Sequence, residues 1–362
     1  MIHPIHEKYA QLLVGYCTSV QPGENVSINV QEAAWPMARA LHREVLKADG
    51  RPVLHLSYAE AIEDVLELAS DAYFDSSPEL ALDEIKKIDA FISVRAASNS
   101  RSMQNADKSK FARLLKRNRE VQNIRVRDTK WVGTLFPSNA GAQDAGMSLD
   151  EYEQFVYNAM YLFEDDPVVK WQELHAFQAQ LISRLEQADV VRIVGPETDL
   201  SLRVKGRVWV NSDGHKNMPS GEVFTGPLED SANGVICYQV PSAVGGVEVE
   251  NIRIRFQDGK AVEAKADKGD DLLQAQLNSD EGARLLGELG IGTNYNIQQP
   301  SKSILYDEKI GGTVHLALGQ SYQETGGVNS SAIHWDMICD LRQGGAIYLD
   351  GELFQENGQF KL

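Results

Sequence analysis

Short apolar runs alternate with amphipathic runs along the first half of the chain. Apolar runs of strand length favour β-strands at residues 25–30, 52–56, 88–94 and 131–136. Apolar residues at helical spacing favour helices at residues 33–48, 107–118, 149–163 and 168–188. Strands and helices in alternation are typical of a mostly parallel sheet covered by helices. We therefore predict an α/β scaffold domain over residues 1–188.

From residue 190 onward the pattern changes to short strands joined by tight turns. Asp258-Gly259 separates the strand-like IRIRF from KAVEAKA, and Asp350-Gly351 separates AIYL from ELF. Asp-Gly readily supplies the positive φ angles of a type I′ hairpin turn. One helical pattern interrupts at residues 270–287. We predict a second, α+β domain over residues 189–362 that is rich in antiparallel strands and carries the functional site.

Two predicted strands of the second domain direct polar side chains away from their apolar side. In SAIHWDMICDL, strand alternation puts His334 and Asp336 on the same face. In TVHLALG, His315 shares a face with the small Ala317. An imidazole and a carboxylate that point the same way can hold one metal ion. A hydrogen-bonded core histidine is the alternative for each ring taken singly.

Three glutamates of the same domain are further candidate ligands. Glu222 is the one acid in the Pro- and Gly-rich NMPSGEVFTGP, Glu288 lies among apolar residues in GELGIG, and Glu308 lies in YDEK. For each alone, a solvated surface position is the commoner fate of a glutamate. Several glutamates, two histidines and one aspartate in one domain suit Zn, Co or Mn, and such a set can hold two ions.

Composition narrows the range of partners. The 362 residues include 52 acidic and 35 basic side chains, a formal net charge of −17, which argues against nucleic-acid binding. No run approaches the roughly 18–20 apolar residues of a membrane helix, so no membrane partner is predicted. The three cysteines are widely spaced and match no disulfide or zinc-finger pattern. We interpret them as reduced thiols in the cytoplasm.

The motifs of the second domain resemble those of a known family. The chain resembles the thermophilic metallo-aminopeptidases (peptidase family M29), which include aminopeptidase T, aminopeptidase S and PepS. Five of its motifs follow one another in the order found in that family and at similar separations, namely NMPSGEVFTGP, LGELGIG, DEK, HLALGQSY and HWD. The likeness covers nearly the whole chain. It implies a homodimer with two divalent ions per chain, zinc or cobalt, that removes N-terminal residues from peptides with a free N-terminus.

Carried over motif by motif, the resemblance assigns six metal ligands, namely Glu222, Glu288, Glu308, His315, His334 and Asp336. It assigns the active-site tyrosine to Tyr322, seven residues after the first histidine. Relatives commonly read D-E-N-A-S/A-C-H, whereas this chain has DEKIGGTVH, two residues longer between glutamate and histidine.

These assignments predict a mechanism. Glu288, or else Glu222, takes a proton from a metal-activated water and passes it to the leaving amine. The phenol of Tyr322 donates a hydrogen bond to the oxyanion of the tetrahedral intermediate.

Three other functions stay open on the residues alone. They are a metal-free hydrolase with paired carboxylates, a non-catalytic peptide- or metal-binding protein of the same fold, and a nucleotide-binding oxidoreductase. The last is suggested by the α/β half, yet the chain contains neither G-x-G-x-x-G after a strand nor G-x-x-x-x-G-K-[ST].

Overall fold

A parallel sheet organises the first part of the chain in the computed structural model, which describes residues 2–58, 60–244 and 246–361. Its strands are β1 (Asn25–Gln31), β2 (Arg51–Ser57), β3 (Ala90–Arg95) and β4 (Lys130–Leu135), joined from later in the chain by β8 (Asn217–Met218). They lie in the order β2-β1-β3-β4-β8, and every neighbouring pair is parallel. The predicted parallel sheet is confirmed.

Eight α-helices belong to the described part of this half. They are α1 (Pro4–Gln11), α2 (Trp35–Lys47), α3 (Ala61–Leu68), α4 (Asp71–Asp75), α5 (Glu79–Ile85), α6 (Lys108–Asp128), α7 (Asn139–Ala145) and α8 (Leu149–Ala159). Helix α6 continues well beyond its predicted end at residue 118. Ile124 supplies the reason, because it packs with Ile85 and Ile88 in a small apolar cluster that the sparse sequence pattern did not reveal.

The chain divides into two compact units whose boundary differs from the prediction at residue 188. One unit comprises Met1–Val168 with Gly214–Pro219, and the other comprises Val169–Asp213 with Ser220–Leu362. Helix α9 (Pro167–Leu185) therefore falls almost wholly in the second unit. The short segment 214–219 joins the first unit because β8 pairs with β4, where Thr134 Oγ1 also donates to the carbonyl of Met218 at 2.6 Å.

Antiparallel strands build the second unit, as predicted. In chain order they are β5 (Val190–Gly195), β6 (Thr198–Arg203), β7 (Val210–Ser212), β9 (Glu222–Thr225), β10 (Asn233–Tyr238), β11 (Ser242–Val244), β12 (Val247–Val249), β13 (Ile252–Gln257), β14 (Lys260–Lys265), β15 (Leu286–Gly292), β16 (Thr313–Gly319), β17 (His334–Asp340), β18 (Ala346–Leu349), β19 (Glu352–Glu356) and β20 (Gln359–Phe360). Helices α10 (Asp270–Leu277) and α11 (Ile304–Asp307) interrupt them. Asp258 and Asp350 have φ angles of 48° and 49° and are each followed by a glycine at positive φ, which confirms both predicted hairpin turns.

The prediction of one helix over residues 270–287 was wrong in its second half. Helix α10 ends at Leu277, and the chain enters β15 at Leu286. Leu289 and Ile291 enter the core, and a small residue lies between them. This two-residue spacing is the period of a strand. A bulge between Leu286 and Glu288 shifts the register, so that Leu286 faces the core as well.

Two sheets of the second unit share one apolar core. Eight strands pair in the order β14-β13-β10-β6-β5-β18-β19-β20, and five pair in the order β17-β16-β15-β9-β7. The core takes Ile236 and Ile254 from the larger sheet and Val314, Leu316 and Met337 from the smaller one. The smaller sheet thus buries one face in apolar packing, which leaves its other face for polar groups.

None of the helices described is both long and apolar enough to cross a membrane.

Candidate metal centre

Neighbouring strands bring five of the predicted ligands to one face of the five-stranded sheet. Glu222 begins β9, Glu288 lies in β15, and His315 lies in β16. His334 and Asp336 lie two residues apart at the start of β17. Since successive side chains of a strand point to opposite faces, these donors lie opposite the apolar side chains that enter the core.

Small residues opposite the donors make room for them. The backbone register pairs Gly290 with His315, Gly319 with His334, and Ala317 with both Glu288 and Asp336. A Cβ atom at Gly290 would lie 2.1 Å from the His315 ring, far inside contact distance. Gly290 is therefore a positioning residue that was not recognised from the sequence. The available signal was its place two residues after Glu288, on the same face of the strand.

Glu288 lies between the two imidazoles. Nε2 of His315 is 3.4 Å from Oε1 of Glu288 and 3.2 Å from Oε2 of Glu222. Nε2 of His334 is 3.4 Å from Oε2 of Glu288 and 3.4 Å from Oδ2 of Asp336. The side chains are largely withdrawn from water, with His315 fully buried. A carboxylate that reaches two imidazoles in this way is suited to ligate an ion next to either ring.

The donor atoms form three overlapping groups whose members lie within 4.8 Å of one another. These groups are Glu222 with Glu288 and His315, Glu288 with His334 and Asp336, and Glu308 with His315 and Asp336. Glu308 joins from outside the sheet, because it caps the C-terminus of α11. The structure thus brings all six sequence-predicted ligands together, and their individual roles stay predictions.

The donor set fits a divalent ion of the zinc, cobalt or manganese type. Nδ1 of His334 lies 2.8 Å from the carbonyl of Gln320, so that the other ring nitrogen, Nε2, is left to face the carboxylates. Among the described residues, Oδ1 of Asp336 is buried without a hydrogen-bond partner. Buried polar atoms are rarely left unpaired, and a bound ion satisfies such atoms as a hydrogen bond would.

Without an ion, the two imidazoles hold protons. Burial lowers the pKa of each ring, but the neighbouring carboxylates outweigh it. Asp336 and Glu288 raise the pKa of His334 to about 11, and Glu222 with Glu288 raises that of His315 well above its usual range. Metal binding must therefore displace protons from the site.

Lys309 is the second site residue that the sequence analysis missed. It is fully buried, its Nζ pairs with Glu308, and Nζ lies 3.5 Å from Oε1 of Glu222. Burial by itself would raise the pKa of Glu222, but the positive charges of Lys309 and His315 outweigh it and hold that pKa low. At Glu308 burial prevails and raises the pKa. No sequence signal pointed to this lysine, because lysine is normally solvated.

Tyr322 stands at the rim of the cluster. It is 46% exposed, and its ring centroid lies 5.0 Å from that of His334 and 5.7 Å from that of Phe224. Partial burial and the nearby carboxylates, Glu288 first among them, raise the pKa of the phenol. Tyr322 therefore stays protonated at neutral pH and can donate a hydrogen bond.

A cavity of about 390 Å³ adjoins the same edge of the sheet. His334 and Asp336 form part of its wall, and Val244, Ile304 and Ile338 supply apolar surface. Its volume and mixed lining suit a small ligand or one side chain of a larger one.

Comparison with known proteins decides the family. A family model described as thermophilic metalloprotease (M29) matches residues 3–360. The chain belongs to this family. The resemblance found from the sequence motifs is confirmed, and the family makes the protein a hydrolase of peptide bonds.

Individual relatives of the M29 family agree in sequence and in fold. Aminopeptidase AmpS of Bacillus subtilis is 28% identical, over 87% of this chain and 83% of its own. Aminopeptidase T of Thermus thermophilus is 26% identical, over 95% of each chain. A solved structure of wild-type AmpT from Thermus thermophilus covers 99% of both chains with a TM-score of 0.85 at 23% identity. The last likeness confirms the predicted fold class.

Proposed function

We propose that this M29 metalloprotease is an aminopeptidase that hydrolyses N-terminal residues from peptides with a metal-activated water. The observation that carries the proposal is the gathering of two imidazoles and three carboxylates on one sheet face, with Glu308 beside them and the buried Oδ1 of Asp336 left unpaired. The relatives that are named aminopeptidases support cleavage at the N-terminal end of the peptide. A metal-free carboxylate-pair hydrolase would leave both histidines without a role, and the dinucleotide fingerprints of an oxidoreductase are absent from the sequence.

The ion would be held by the donor groups around Glu288. A divalent ion in such a site lowers the pKa of a water molecule and polarises a carbonyl group. Glu288, or else Glu222, is proposed to accept the water proton and deliver it to the leaving amine. Both carboxylates are buried next to an imidazole, so a proton on either one would be shielded from exchange with bulk water.

The rim of the site would bind the substrate. The phenol of Tyr322 is proposed to donate a hydrogen bond to the oxyanion as it forms. The apolar part of the cavity, at Val244, Ile304 and Ile338, is proposed to receive the side chain of the first substrate residue. The proposal therefore expects uncharged N-terminal residues to be preferred.

Four finer expectations from the sequence stay predictions. They are two ions per chain, their identity as zinc, cobalt or manganese, a homodimer and a cytoplasmic location. Light scattering on the protein as it elutes from a size-exclusion column measures the oligomeric state directly.

The test measures metal content and peptidase activity on one purified sample, before and after dialysis against a chelator. The substrates are a peptide with a free N-terminus and the same peptide acetylated. Cleavage of only the free peptide, lost on chelation and restored by Zn²⁺, Co²⁺ or Mn²⁺, is expected. Equal cleavage of both peptides would contradict the aminopeptidase assignment, and activity indifferent to chelation would contradict the metal site.

A further inference from the structure

A buried ammonium group already neutralises part of the acidic cluster. Nζ of Lys309 pairs with Oε1 of Glu308 and lies 3.5 Å from Oε1 of Glu222, and the side chain has no exposure to solvent. A lysine in such a position is tolerated only where carboxylates compensate its charge. Lys309 therefore acts as the counter-cation of two glutamates to which the resemblance assigns metal binding.

The backbone holds Lys309 in this position. Its N–H donates to the carbonyl of Tyr306 at 3.0 Å, and its carbonyl accepts from the N–H of Asn294 at 3.0 Å. The first bond belongs to the turn that ends α11, and the second joins this turn to the segment that follows β15. If the ammonium group moved away from the carboxylates, this turn would have to shift, or the buried positive charge would be left without a partner.

A second ion, held by the donor group of Glu222, Glu288 and His315, would share Glu222 with this ammonium group. Zinc lies about 2.0–2.2 Å from a carboxylate oxygen, and Nζ is already 3.5 Å from Oε1 of Glu222. The ion would thus lie within a few ångströms of a buried positive charge. Such a repulsion is weakly screened away from water.

The other side of the cluster offers a complete site. Glu288, His334 and Asp336 form a donor group of their own, with Nε2 of His334 3.4 Å from each carboxylate. Three protein ligands with a further position left for water is the usual arrangement of a catalytic zinc site.

We infer that each chain binds one divalent ion, at Glu288, His334 and Asp336, and that the Lys309 ammonium group takes the place of a second ion at Glu222, Glu288 and His315. The inference rests on the metal site of the proposed function, but it replaces the two ions expected from the resemblance.

The test counts ions in the full-length protein after it has been stripped, loaded with Mn²⁺ and freed of excess metal. The wild type is expected to hold one ion per chain. Lys309→Met is expected to hold two, because Glu222 and Glu308 then lack a counter-cation, whereas Lys309→Arg keeps the charge and stays at one. Lys268→Met, which removes an exposed lysine paired with Glu248 and Glu250, is the matched control and also stays at one.

Electron paramagnetic resonance of the Mn²⁺-loaded wild type gives an answer that does not depend on any variant folding. The signal of an isolated ion is expected. A spin-coupled pair, or two ions per wild-type chain, would overturn the inference and leave the proposed function standing. One ion in both the wild type and a folded Lys309→Met variant would also overturn it, and a wild type that binds no metal would overturn both.

Discussion

The two faces of the five-stranded sheet use the same strands and the same register for opposite purposes. On the core face, Val314, Leu316 and Met337 lie in an apolar cluster with side chains from the other sheet. On the donor face, the intervening positions carry His315 and Asp336. The core face gains free energy from burial of apolar area. The donor face withdraws like charges from water, which costs free energy unless cations compensate them.

A residue on the core face acts on the stability of the whole unit, whereas a residue on the donor face acts on the affinity for cations. Substitutions on each face should therefore separate the two properties.

Tyr322→Phe should lower kcat by about 100- to 1000-fold while metal content stays unchanged, because only a donor to the oxyanion is lost. Steady-state kinetics together with metal analysis measure both quantities. Tyr348→Phe, in β18 of the larger sheet, is the matched control for the loss of a phenol. An unchanged kcat in the Tyr322 variant would remove the residue from the mechanism.

Gly290→Ala should weaken metal affinity by about 10- to 100-fold, the range seen when groups that orient a ligand are changed. The reason is the clash of the new Cβ with the His315 ring. Gly195→Ala offers a control in another strand, where the nearest atom would lie at an ordinary 3.5 Å. Calorimetric titration with Zn²⁺ compares the two, and equal affinities would show that His315 contributes nothing to binding.

Metal affinity should rise with pH by about tenfold per unit for each proton released. The sign follows from the raised pKa values of His334, at about 11, and of His315, since both rings are protonated near neutrality without an ion. Their contribution to the stability of the metal-free fold is full below the ordinary histidine pKa and declines as pH rises toward 11. Titrations at about pH 6.5 to 8.5, a range above the ordinary histidine pKa, in two buffers of different ionisation enthalpy count the protons. A pH-independent affinity would contradict protonated rings.

Leu316→Ala should leave metal affinity nearly unchanged and lower the free energy of unfolding by about 2–5 kcal/mol, the usual result of a cavity in a core. Leu316 is fully buried on the core face, next in the chain to His315. Denaturant unfolding and metal titration on the same variant measure the two properties. A large loss of affinity at full stability would show that the two faces are coupled.

Much of the site could be predicted because strand periodicity needs no tertiary information. The alternation in HWD and in HLALG placed His334 with Asp336, and His315 with Ala317, on faces opposite their apolar neighbours, and the structure shows that arrangement. The hairpins at Asp258 and Asp350 followed from local backbone preferences in the same way. Periodicity failed over residues 270–287, where a helix, a turn and a bulged strand follow one another too closely.

The fold class, the parallel and antiparallel sheets, and the residue types of a metal site could all be read from the amino-acid sequence. Such features depend on patterns within short stretches of chain or on motif order. Three features became visible in the folded chain alone: segment 214–219 joins the first unit, Gly290 makes room for His315, and the ammonium group of Lys309 lies among the carboxylates. Each of these depends on distances between residues far apart in the chain, and a charged side chain carries no local sign of whether it meets water or another charge.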